Sequence, residues 1–160
     1  MDAYDVLLDG LDRIAQGVAA LTDGDPDLQR RPAPTANTPA WLLWHLTRVQ
    51  DDHVADAFGL TQLWDQGWRE RFALPYEDPH ETGYAMSTEN AGRLVAPAAL
   101  LADYYAAVHA QTVTALKSSP DLDRVVDTRW DPPVTLGVRL VSVIDDCAQH
   151  IGQAAYVLGL

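Results

Sequence analysis

Apolar residues recur at intervals of three and four along most of this chain, a period that predicts long helices. Leu7, Leu11, Ile14, Val18 and Leu21 mark one face of a helix over residues 4–21, with Asp5, Asp9, Asp12 and Gln16 turned to water. The stretch TDGDPDLQRRPAPTANTP interrupts it, because proline, aspartate and asparagine favour turns. Thr38 and Pro39 open a second helix, PAWLLWHLTRVQDDHVADAF. A threonine can cap the free amides at a helix start, and proline at the first position lacks only an N–H that would be unpaired anyway. Trp41, Leu42, His45, Val49 and Asp52 fall within one stripe of this helix, and Gly59 ends it.

A third helix is expected over 97–117, with Leu101, Tyr104 or Tyr105, Val108, Thr112 and Ala115 or Leu116 inward. The fourth, over 136–158, is apolar nearly all round (Val138, Leu140, Val141, Val143, Ile144, Ile151, Ala154, Ala155, Val157), which predicts an interior position. Between the second and third helices, GLTQLWDQGWRERFALPYEDPHETGYAMS holds no sustained period and is expected to be a connection with one short helix over 64–72. It is either a lid over a site or a packed surface segment, and Trp64, Trp68 and Phe72 either cover a site mouth or pack the connection down. DRVVDTRW admits a short strand without changing the class. The pattern predicts an all-α antiparallel four-helix bundle in one domain over 1–160.

Charge narrows the partners. The 23 acidic against 11 basic side chains give a net charge of −12, which repels phosphate and argues against nucleic acid and anionic membrane surfaces. No apolar run approaches the ~18 residues of a spanning helix. The acidic start MDAYDVLLDGLDR is unlike a signal peptide, and the lone Cys147 cannot form an internal disulfide; both point to the cytoplasm.

Candidate chemistry lies on the second and fourth helices. Asp146 and His150 are four residues apart, so they project from one face about 6 Å apart along the axis and can reach one ion. Arg139, Val143, Gln153 and Val157 extend that stripe. A buried carboxylate and imidazole need a partner, a hydrogen bond or a metal. His45, mid-helix among tryptophans and leucines, is the candidate third ligand, and two imidazoles with one carboxylate leave open positions on a divalent metal. Asp146 and His150 pairing with each other or with Arg139 would be a purely structural alternative. Asp52, about 10 Å beyond His45, is too far to share an ion but can orient substrate; Arg139 is a candidate for an anionic group and Gln153 for a hydrogen bond to a ligand. Cys147 is about 100° around the helix from Asp146 and is expected in the core. His53, His80 and His109 show no comparable partner, and EDPH is expected to be a loop.

RRPAPTANTPAWLLWHLTRVQDDHV and DDCAQHIGQAAYVLGL together resemble the DinB superfamily, in particular its actinobacterial branch of mycothiol-dependent enzymes, over essentially the whole chain. The resemblance implies an up-down-down-up bundle holding a divalent metal by one histidine of the second helix and an H-x-x-x-H pair of the last. His45 matches the first and His150, in HIGQ, the last; Asp146 replaces the other histidine, as a carboxylate does in the related maleylpyruvate isomerases. It further implies a metal, zinc first with nickel or manganese as alternatives, and mycothiol as cosubstrate for S-transfer to, or isomerisation of, a small electrophile. A metal-activated water would instead make a hydrolase, and a polar network without a metal would make a non-catalytic binding module. An apolar helical surface could support a homodimer.

Overall fold

The computed structural model of the chain describes residues 1–118 and 120–160. Its helices are α1 (Ala3–Thr22), α2 (Pro39–Phe58), α3 (Trp68–Phe72), α4 (Thr88–Ala91), α5 (Ala98–Leu116) and α6 (Leu136–Leu158). A small antiparallel pair, β1 (Val125–Asp127) and β2 (Val134–Thr135), leads directly into α6. No helix among the described residues is long and apolar enough to cross a membrane.

The long helices mostly begin where the sequence offers a cap. Asp2 accepts from the Asp5 amide at 2.9 Å while Asp5 accepts from the Asp2 amide at 3.0 Å, a reciprocal box at the start of α1. Thr38 accepts from the Trp41 amide at 3.2 Å, with Pro39 next to it as expected. Gly59, at φ 65°, closes α2 in the left-handed conformation that glycine adopts without a Cβ penalty.

Four long helices form the body: α1 packs on α5 and α6, and α2 packs on the same two. Gly10 and Gly17 of α1 lie against Ile144 and Ile151 of α6. The Tyr4 hydroxyl donates to the Pro120 carbonyl, and Asp12 approaches His109 at 3.1 Å. On α2, His45 lies beside His150, and His53 lies beside Arg139.

The innermost helix is α2, and this corrects the expectation for α6. Sixteen of the 20 residues of α2 are buried, against seven of the 23 in α6. Val138 and Val141 of α6 are more than half exposed, so α6 is amphipathic despite its apolar composition. Hydropathy alone misranks the two because α2 buries charge: Arg48 and Asp51 are enclosed by the connection, whose backbone satisfies them.

That connection differs from the single short helix expected over 64–72. A 3-10 turn, Leu63–Asp65, and α3 are separated by Gly67, whose φ of 100° breaks the helix. Asp51 accepts from the Leu63 and Trp64 amides at 2.9 and 2.8 Å and from the Tyr104 hydroxyl at 2.7 Å. Trp64 packs against Trp44, Phe72 and Tyr104, so these aromatic residues press the connection onto the bundle and do not cover the site. The short helix α4, capped by Ser87, has no counterpart in the periodicity.

Candidate metal centre

Two helices and one loop meet at His45. α2 contributes this buried imidazole, and α6 contributes Asp146 and His150 from successive turns; one donor atom from each lies within 4.8 Å of the others. The two imidazole centroids are 4.9 Å apart, and His150 Nε2 is 3.7 Å from Asp146 Oδ1. The other oxygen, Asp146 Oδ2, is buried and accepts no hydrogen bond among the described residues. A buried acceptor without a donor costs about 1–3 kcal/mol, more when charged, unless a cation meets it. Two imidazoles and a carboxylate suit a divalent metal and leave positions open for a ligand. The donor set therefore fits the metal that the sequence resemblance implies.

The hydrogen bonds fix which nitrogen is free. A carbonyl can only accept, so the 2.5 Å contact of His45 Nδ1 with the Thr82 oxygen places the proton on Nδ1 and the lone pair on Nε2. His150 Nδ1 makes the equivalent contact with Gln153 Oε1 at 2.9 Å. Burial lowers the pKa of His45; the Thr82 carbonyl partly opposes this shift and His150 reinforces it. The neutral imidazole is the form that a metal binds.

Trp41 stacks on His45 at 4.7 Å and meets His150 edge-on at 6.4 Å. Tyr84 stands edge-on to His45 at 5.3 Å, and Met86 sulfur lies 3.3 Å from Trp41 Nε1. The loop that carries these groups passes so close that a β-carbon on Gly83 would lie 2.6 Å from His45 Nδ1; its φ of 100° independently demands glycine.

The remaining candidates divide between two places. Gln153 joins the three donors through His150. Asp52 and Arg139 lie seven residues along their helices from His45 and Asp146, about 10 Å away, and line a polar cleft of about 580 Å³ with His53, Gln62 and Arg129. Asp52 accepts from Gln62 at 2.7 Å. Arg139 is buried against Asp127 at 2.9 Å, so its charge already has a partner.

His53 joins no cluster of metal-ligating side chains among the described residues, but it has hydrogen-bond partners. Arg139 donates to its Nδ1, and its Nε2 lies 3.1 Å from the Tyr84 hydroxyl. His80 and His109 pair with Asp65 and Asp12. Cys147 is wholly buried, as expected, and burial pushes its thiol pKa up, which removes it as a nucleophile.

The periodicity missed Thr82, Gly83, Tyr84 and the buried pair Arg48 and Asp51. The pair had only a weak signal, opposite charges three residues apart among other polar residues of the helix; the loop residues had none.

The family model described as Mycothiol-S-transferase matches residues 5–158. The comparison with curated proteins returns no match. A solved structure described as a conserved protein of locus from Enterococcus faecalis is 34% identical, with a TM-score of 0.86 over 98% of this chain and 95% of that one. Donors, covering loop and helical body thus lie in a chain that belongs to the mycothiol S-transferase family, a DinB-like family.

Proposed function

We propose that the protein is a metal-dependent transferase that joins the sulfur of mycothiol, a low-molecular-weight thiol, to a small electrophile, or uses that thiol to assist an isomerisation. The observation that carries this reading is the Asp146 carboxylate, which offers one oxygen within 4.8 Å of a donor atom on each of two imidazoles and whose buried Oδ2 accepts no hydrogen bond among the described residues. His45, Asp146 and His150 would hold a divalent cation, zinc first, with nickel or manganese as alternatives. When bound, such a cation supplies Lewis acidity that lowers the pKa of a coordinating thiol into the neutral range.

The chain's own side chains position and shield. Thr82 and Gln153 aim the imidazoles; Trp41, Tyr84 and Met86 wall the donors and restrict water. The new C–S bond forms from a sulfur lone pair, the thiol proton passes to solvent, and the leaving group departs with its bonding pair. In an isomerisation the sulfur adds and is itself expelled. Asp52, in the neighbouring cleft, would meet the polar remainder of the thiol or the electrophile.

The reading includes an up-down-down-up path. The pairs Gly10–Ile144 and Gly17–Ile151 advance together along α1 and α6. His45–His150 and His53–Arg139 run oppositely along α2 and α6, as do Tyr4–Pro120 and Asp12–His109 for α1 and the end of α5.

Metal content by mass spectrometry, on parent and His150→Ala protein dialysed against metal-free buffer, tests the centre. Near one equivalent in the parent and none in the variant is expected, followed by loss of free mycothiol with an electrophile. No metal in either, even after adding zinc, nickel or manganese, would leave a structural network held by the Asp146–His150 pair. Metal without thiol transfer would favour a hydrolase.

A further inference from the structure

We infer that Arg48 and Glu81 are positioning residues for His45: together they hold the loop whose carbonyl fixes the imidazole tautomer. The inference deepens the metal reading and rests on it for its binding consequence. Its basis is a continuous set of polar contacts running from one turn of α2 back to the same helix.

Arg48 is wholly buried one turn after His45. Its Nε donates to the Glu81 carbonyl at 3.2 Å, and its guanidinium nitrogens reach the His80 carbonyl at 3.4 Å and Gln62 Oε1 at 2.9 Å. The guanidinium sits 4.8 Å over Trp64, and Asp51 Oδ2 lies 3.6 Å from it. A rigid fork of donors on two successive carbonyls fixes both the height and the direction of the segment.

Glu81 continues the path. Its carboxylate accepts from the Thr82 amide at 2.9 Å and the Gly83 amide at 2.7 Å, turning the backbone so that the Thr82 carbonyl points at His45 Nδ1. Gly83 allows the approach. Neither Arg48 nor Glu81 is among the clustered donors, so each acts through His45. The free lone pair on Nε2 is thus set by a loop more than 35 positions away in sequence, and without it the imidazole could hold its proton on either nitrogen.

The test uses full-length protein labelled with 15N-histidine and freed of metal. His45 is assigned by loss of its signal in His45→Gln. The parent is expected to show a single Nδ1–H tautomer for His45. Glu81→Ala is expected to show a mixture or the other tautomer, and to weaken zinc binding, read by chelator competition, by about 10- to 100-fold. Glu81 is half-buried at the surface, so this variant spares the core; Glu81→Gln keeps an acceptor oxygen and is expected to restore the tautomer and come within about threefold of parent affinity. A His45 spectrum in Glu81→Ala identical to the parent's would overturn the inference, whatever zinc does. If the parent fails to bind zinc while the tautomer shifts as expected, the metal reading fails and the positioning role stands.

Discussion

Gly17 on α1 lies against Ile151 on α6 so closely that a β-carbon would sit 2.9 Å from Ile151 Cδ1, and Gly10 meets Ile144 in the same way one heptad earlier. These two notches let α6 sink onto α1. Gly17→Val should destabilise the protein by about 1–3 kcal/mol through overpacking, measured by urea unfolding. In an Ile151→Ala background the loss should shrink; equal losses in both backgrounds would mean that the contact is not the cause.

Asp51 holds the connection from inside the fold. Asp51→Ala leaves the Arg48 guanidinium buried beside no carboxylate and removes the acceptor for two backbone amides and Tyr104. A loss of about 3–5 kcal/mol is expected from urea unfolding, with a smaller one for Asp51→Asn, which keeps an acceptor oxygen. A loss below about 1 kcal/mol in Asp51→Ala would show that the pair is dispensable.

Metal should stabilise the fold by mass action. Zinc at one hundred times its dissociation constant should add about 2.7 kcal/mol and raise Tm by roughly 5–10 °C, reversibly on chelation. Asp146→Ala should show no such shift. A shift of equal size in that variant would place the metal elsewhere.

Asp127 sets a dependence on pH. Its carboxyl is held well below the usual range, chiefly by Arg129, with Arg139 adding to the effect. Because the folded value is depressed, the stabilisation is full above the unfolded pKa of about 4 and fades as pH falls towards the folded value. Asp127→Asn should therefore be less stable than the parent at pH 7, with the gap narrowing at pH 3. Urea midpoints at both values decide this, and a gap that widens on acidification would contradict the assignment.

Much of this architecture was legible because helix period and capping are local. Thr38, Pro39 and Gly59 bound α2 where expected, and the spacing of Asp146 and His150 put both on one face beside His45. The depth of each helix was not legible. Burial depends on what covers a helix, and the polar groups that draw the connection over α2 look in sequence like a solvated face. Thr82 was equally hidden, since it acts through a peptide carbonyl that every residue possesses. Arg139 is buried on α6, and its partner Asp127 comes from a strand pair formed in tertiary context.

The loop addresses His45 through main-chain oxygen, so the residue type at position 82 is immaterial to that contact, while position 83 admits only glycine. Tyr84 and Met86, next in the chain, face the imidazoles and Trp41 without hydrogen-bonding either imidazole. The segment thus separates the backbone that aims His45 from the side chains that wall it. Its wall can be exchanged residue by residue while the nitrogen of His45 stays where α2 and its backbone partner set it, which on the proposed function would retune which electrophiles enter.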